Sequence, residues 1–397
     1  MSNLLDRRIF LSGMGSGIAL STVGLKLGGV FTNPALASNI SPYKTLVLLE
    51  LKGGNDGLNT VIPFMDKEYY SLRPTLAVKK ERVIQLSDSL GFNPALKSLL
   101  PLWKKKELAI VLGVGYPEPN LSHFRGIDIW NTASDAQQFL ETGWISRLFG
   151  EFYPGLSFPC DAINLGYNLL GPFDGGKTRT ITLGNNPNKL LKQASRLVPN
   201  ANSVDNPALM HIVKQRTDVK SAAKKIIENR IDNIPNTGVF NTTKLGDQFE
   251  TMSRLMLAGV RVPVIKLSIG KFDTHAEQEP LHTQLLRDVG DNIASFAKLM
   301  NGEGLWNDIL VMTYSEFGRR PKENISGGTD HGTSAPHFFI GGRVRGGFYG
   351  KQPTLDILED GNLPYFQHYR ELYATVAREW WGLRAPFIRE KAIGVIV

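Results

Sequence analysis

Glu316 and Arg319 close an apolar run, Ile309 to Met312, and the glycine-rich loop after them carries Asp330, His331 and His337. A second concentration of the same residue types follows the run Val262 to Ile269: Asp273 and His275, with His282 further along. Carboxylates and imidazoles are the side chains that hold divalent metals or move protons. In open α/β sheets, ligands bind at the loops beyond the carboxyl ends of strands. Both stretches are therefore candidate metal or anion sites, although each taken singly also fits a polar surface loop with chance histidines.

Two earlier runs end in the same way. Thr45 to Leu51 is nearly all apolar and leads into Gly53-Gly54-Asn55-Asp56, where glycines let the backbone come close to whatever Asp56 holds. Glu107 to Val114 leads through a proline-containing loop to Ser122 and His123, at the start of a helix that carries Ile127, Ile129 and Trp130. Ser122 has two readings: a helix N-cap, or a nucleophile whose developing charge is held by the helix N-terminus and a cation. His123, His282 and His337 are further imidazoles that could add to a metal site.

These runs alternate with helical spacings at Asn93 to Lys106, Asp247 to Ala258, Leu281 to Met300 and Tyr369 to Trp381. Alternation of this kind predicts a doubly wound, mostly parallel α/β sheet. Residues 150–245 read as an inserted, partly helical cap region, with a strand at Thr178 to Leu183 and helical spacing from Asn206 onward.

Laid side by side, the four apolar runs would gather Asp56, Ser122, Asp273, His275, Glu316, Asp330 and His331 at one edge. Two carboxylates ~4 Å apart repel by roughly 4 kcal/mol at an effective dielectric near 20, so such a cluster calls for cations. Oxygen ligands mixed with imidazoles suit Zn, Mn or Fe better than Mg or Ca. Two divalent ions ~3.5–4 Å apart would hold both oxygens of an in-line displacement at phosphorus or sulfur. They would lower the pKa of the Ser122 hydroxyl or of a bound water, and Arg319 would grip the equatorial oxygens of a small anionic ester.

The 397 residues carry a formal net charge of +8. The basic residues are dispersed through Lys104 to Lys106, Lys220 to Lys225 and Arg343 to Arg345 without aromatic interleaving, which fits a solvated face and no nucleic-acid partner. Cys160 is the single cysteine, so no internal disulfide forms, and it reads as a buried small hydrophobe. Arg7-Arg8 ahead of a mildly apolar stretch, Gly13 to Val30, and the small residues Ala35-Leu36-Ala37 resemble a twin-arginine export signal. The stretch is too short and too rich in Gly and Ser for a span of about 20 apolar residues. The expectation is a signal at 1–37, passage through the twin-arginine translocation machinery, and a periplasmic or secreted α/β domain at 38–397 with no stable membrane span. An ordinary secretory signal or an uncleaved anchor are the alternatives.

The blocks GGNDGLNTVIP, SHFRGIDIW, FDTH, SEFGR and GGTDHG together resemble the bacterial twin-arginine-exported family called domain of unknown function 1501, grouped with the alkaline phosphatase and sulfatase superfamily. The resemblance implies an alkaline phosphatase-like fold with Asp56 as first-strand metal ligand and Ser122 in the nucleophile position. Asp273 and His275 would serve a second metal, and Glu316, Asp330 and His331 would replace the superfamily's usual Asp-His pair and distant His. The Asp273-x-His275 spacing is shorter than the superfamily's Asp with His four residues on. No Cys-Pro-Arg signature surrounds Cys160, which disfavours formylglycine-type sulfatase chemistry. The reading is an exported metal-dependent hydrolase of phosphate or sulfate esters, with Ser122 or a metal-bound water as nucleophile. Two alternatives stand beside it: a non-catalytic binding or assembly module on the same fold, and a serine esterase of the Gly-Asp-Ser-Leu type built on Gly54-Asn55-Asp56-Gly57.

Overall fold

The computed structural model describes residues 44–152, 158–166, 169–176, 178–183 and 234–397. Residues 1–37 and the helical spacing from Asn206 lie outside the described residues. Among those described, no helix is long and apolar enough to cross a membrane.

The strands of the central sheet are β1 (Thr45–Leu51), β2 (Leu108–Gly115), β3 (Ala162–Asn164), β4 (Thr180–Thr182), β5 (Val264–Ile269), β6 (Ile309–Tyr314), β7 (Ala335–Ile340), β8 (Gly347–Gly350) and β9 (Gln367–His368). Their spatial order is β8-β2-β7-β6-β1-β5-β3-β4, with β9 also against β2. Strands β1, β5 and β6 pair in parallel, as do β3 with β4 and β5, and β8 and β9 with β2. The exception is β7, antiparallel to both β2 and β6. The mostly parallel α/β sheet anticipated from the sequence is present. The edge strands β3 and β4, drawn from within the span assigned to a cap, extend this sheet.

Every residue of β1, β2, β5 and β6 is buried. A strand covered on both faces needs apolar side chains at consecutive positions, which is why these runs do not alternate with polar residues. On β1 the period-two geometry of a strand sends Val47, Leu49 and Leu51 to one face and Leu46 and Leu48 to the other. The first face packs on α3 (Lys244–Leu257) and α4 (Gln278–Gly302) through Phe249, Met252, Ile293 and Phe296. The second packs on α1 (His123–Thr132), α2 (Trp144–Glu151) and α5 (Tyr369–Ala374) through Trp130, Trp144, Tyr369 and Tyr373.

Several elements differ from the sequence reading, among them the short strands β3, β8 and β9, which it does not name. The spacing at Asn93 to Lys106 becomes a 3-10 turn, Pro94–Leu99, and a short helix, Leu100–Lys104. Pro101 supplies the break, because it fits only the first turn of a helix. The helix α2 was hidden between Gly143 and a proline-rich stretch, although Ile145, Leu148 and Phe149 share a buried face. The C-terminal helix continues past Ala374 as a π-helical turn, Thr375–Trp380.

Candidate metal centre

Four loops at the carboxyl edge of the sheet supply the site. After β1 the chain turns at Gly53, whose φ is 118° and where a Cβ would stand 2.4 Å from the amide nitrogen of Asp273. Only glycine allows the β1 and β5 loops to come this close. The contact delivers the Gly53 N–H to Glu316, at 2.9 and 3.1 Å from the two carboxylate oxygens. Beyond β2 a loop ends at Ser122, and His123 opens α1. Beyond β5 come Asp273 and His275. Beyond β6, Gly318–Arg319 forms a two-residue antiparallel ribbon with His331–Gly332. His331 thus arrives on the return toward the antiparallel strand β7.

Three imidazoles surround one carboxylate. His123 Nε2 lies 3.2 Å from Asp273 Oδ2, and His275 Nε2 and His331 Nε2 lie 3.0 and 3.1 Å from Asp273 Oδ1. His275 Nε2 and His331 Nε2 are themselves 3.0 Å apart. Each ring is tied by its other nitrogen: His123 Nδ1 to Glu316 Oε1 at 2.8 Å, His275 Nδ1 to Asp330 Oδ1 at 3.2 Å, and His331 Nδ1 to the Leu121 carbonyl at 2.7 Å. An Nδ1–H donated to an acceptor leaves the Nε2 lone pair free, which is how metal-binding histidines are oriented.

This convergence is unfavourable without a cation. Neutral rings so tied direct lone pairs at each other and at a carboxylate. Were all three doubly protonated instead, their charges would repel by on the order of 4 kcal/mol per pair at 4 Å and an effective dielectric near 20, less for the half-exposed His275. His123 Nε2 is buried without a hydrogen-bond partner. Ligand atoms of His123, Asp273 and His331 all lie within 4.8 Å of one another. The two imidazole nitrogens and the carboxylate oxygen of this group, with His275 Nε2 beside them at 3.0 Å from Asp273 Oδ1, make a donor set suited to Zn, Mn or Fe.

The charges around the cluster are arranged to keep it in place. Burial would raise the Asp273 carboxyl, but the Arg319 hydrogen bond and charge overcome it and hold the group well below the usual carboxylate range. The Glu316 hydrogen bond raises the His123 pKa against the effect of burial. For Asp330, bonded by Asn324 and His275, the carboxyl is lowered.

Several residues anticipated as ligands do other work. Asp56 is absent from the cluster: Arg73 Nη1 and Nη2 hold its two oxygens at 2.7 and 3.0 Å, and Gln278 Nε2 also donates to it. Burial would raise this carboxyl, and the Arg73 charge and hydrogen bond reverse the effect. A guanidinium thus neutralises Asp56, where the sequence suggested a metal. Arg319 is fully buried and donates to Gly54 O, Thr329 O, Gly53 O, Phe272 O and Asp273 Oδ1. It braces three loops, where the sequence suggested a grip on a substrate anion. Glu316 and Asp330 orient histidines. His282 donates to Asn55 Oδ1 at 3.0 Å, and burial pulls its pKa down to about 4. His337 lies on β7 with its ring edge-on to Trp130, its pKa pulled down to about 3 by burial. Ser122 is exposed and makes no capping bond.

Arg73, the Leu121 carbonyl and Asn324 escaped the sequence reading. Arg73-Pro74 sits in a charged surface-like stretch, and nothing in its local pattern separates it from solvated arginines.

The family model described as "Protein of unknown function (DUF1501)" matches residues 177–379. The chain belongs to the DUF1501 family. The match contains Asp273, His275, Glu316, Asp330 and His331 of this DUF1501 site, while Asp56 and His123 precede it. No curated protein sequence matches the chain. Among solved structures, this DUF1501 chain is similar to the lipoteichoic acid synthase LtaP from Listeria monocytogenes, at 10% identity over 92% of this chain and 77% of that one, TM-score 0.37. It is similar also to a protein in the alkaline phosphatase superfamily from Vibrio parahaemolyticus (11% identity, 89% and 72% covered, TM-score 0.38). A third is the PsFucS1 sulfatase from Pseudoalteromonas sp. (9% identity, 89% and 74% covered, TM-score 0.36).

Proposed function

We propose that this DUF1501 chain is an exported, metal-dependent hydrolase of phosphate or sulfate esters, with one divalent ion held by His123, Asp273, His275 and His331. The observation that carries the reading is that three Nε2 atoms lie 3.0–3.2 Å from the Asp273 carboxylate while all three Nδ1 atoms are tied elsewhere. Zn, Mn or Fe fits the donors. Such an ion, when bound, supplies Lewis acidity to an ester oxygen and makes a water or hydroxyl easier to deprotonate.

The remaining work falls to the chain. Glu316 and the Leu121 carbonyl hold the rings of His123 and His331 in the ligating orientation, so little reorganisation accompanies binding. Arg319 keeps Asp273 ionised and fixed in place. Ser122 is the side chain we assign to attack: its hydroxyl is exposed, unbound to the helix it precedes, and next in the chain to His123. A helix N-terminus at that point favours the negative charge that builds on the transferred group.

Elemental analysis of the purified full chain, with hydrolysis of p-nitrophenyl phosphate and p-nitrophenyl sulfate by wild type, Asp273→Asn and Ser122→Ala, tests this. One bound Zn, Mn or Fe per chain and activity lost in both variants supports it. A stably folded, metal-free and inactive wild type, even after metal loading, would sink it and favour a binding module.

A further inference from the structure

A cleft of about 430 Å³ opens beside the ligand cluster. Leu121, whose carbonyl holds His331, lines it, and so does Thr333, just beyond His331 in the chain. Its other walls include Tyr116, Glu118, Glu359, Asp360, Asn362 and Tyr365. No lysine or arginine is among the described residues that line it; Arg320 comes near Gly361 without forming part of the wall.

The charged groups of this cleft are all carboxylates, and its buried amide adds an acceptor. Asn362 is 8% exposed, donates through Nδ2 to the Asp360 carbonyl at 3.3 Å, and leaves Oδ1 with no hydrogen-bond partner. A buried amide oxygen left without a donor is unfavourable. Three carboxylates add further acceptors, of which Glu118 receives only a 3.3 Å bond from Gln137. Tyr116 turns its hydroxyl to the backbone of Asn120, which leaves its ring as wall. An anion entering here would meet uncompensated carboxylates. A positively charged group lying among these acceptors and against the tyrosine rings answers these features.

We infer that this cleft takes an ammonium group carried on the alcohol part of the ester, so that the preferred substrate is zwitterionic. The ester half rests on the hydrolase reading above; the ammonium half rests on the cleft alone. The phosphoryl or sulfuryl group would lie at the metal ligands and the ammonium between the carboxylates of Glu118, Glu359 and Asp360.

The test compares two isosteres that differ only in charge: the p-nitrophenyl phosphodiester of choline, and that of 3,3-dimethylbutanol, in which carbon replaces nitrogen. With metal-loaded full chain, kcat/KM is expected to favour the choline ester by at least about tenfold, declining as salt rises. In Glu359→Gln/Asp360→Asn the preference is expected to fall to about one. Both positions are exposed, and asparagine tolerates the left-handed backbone of Asp360 at φ 51°. Equal rates on the two esters in wild type, or an unchanged preference in the double variant, would overturn the inference. If neither ester nor p-nitrophenyl phosphate is turned over, the hydrolase reading fails, and calorimetric titration with choline decides the cleft by itself. Binding by wild type that the double variant loses sustains the ammonium site; no binding by wild type, or equal binding by both, removes it.

Discussion

His123 Nδ1 stands 2.8 Å from Glu316 Oε1, and this contact joins the helix after β2 to the end of β6 across the intervening strand β7. Glu316 also receives the Gly53 amide at the end of β1. One buried carboxylate therefore joins two loops and fixes the orientation of the His123 ring.

Weakening that carboxylate should weaken metal binding without unfolding the chain. Glu316→Gln is expected to lower metal affinity by about 10–100-fold, the usual cost of losing an orienting partner. Competition with a chromophoric chelator measures it, and an affinity equal to wild type would remove Glu316 from the orienting role.

Arg73 and Asp56 are both buried and hold each other through two hydrogen bonds. Arg73→Met leaves an uncompensated buried carboxylate and should destabilise the fold by about 3–5 kcal/mol. Adding Asp56→Asn should restore part of that loss, read as urea midpoints of the two variants. The Asp56 carboxyl is lower in the folded chain than in the unfolded one. Its contribution is thus present above the unfolded carboxylate range and disappears as pH falls through the folded value.

Two buried histidines give the opposite end of the acid limb. His282 and His337 are pulled down to about 4 and about 3, below the ~6.5 of an unfolded histidine. The unfolded chain takes up protons first, so stability should be complete above pH ~6.5 and decline as pH falls toward 4, by on the order of 3 kcal/mol for each. Chemical denaturation at stepped pH measures the slope. His337→Phe should flatten it, and an unaltered slope in that variant would show that His337 titrates normally.

Cys160 is wholly buried, and burial pushes its thiol up. A thiol-reactive disulfide reagent should leave the native chain unlabelled and label one thiol per chain in urea. Rapid native labelling would contradict this burial.

The short strands β3, β8 and β9 carry no long apolar run, whereas the four long strands β1, β2, β5 and β6 could be read directly from the chain because a strand covered on both faces must be apolar at nearly every position. Their polar ends were equally plain: Asp273, His275 and His331 stood out as ligand types after apolar runs. The partners of those groups could not be read in the same way. Whether Asp56 faces a metal or an arginine depends on Arg73, held in a distant turn whose local pattern resembles solvent-exposed chain.

What the amino-acid order settled by itself was the four long buried strands and the kinds of atom at their ends, since both follow from local hydrophobicity and side-chain chemistry. The tertiary structure decided which carboxylates hold single histidines, which one lies among three of them and which is neutralised by arginine. Those roles turn on contacts of about 3 Å between residues as far apart as Gly53 and Glu316, and on glycine positions whose closeness to a neighbouring loop appears only when the loops meet.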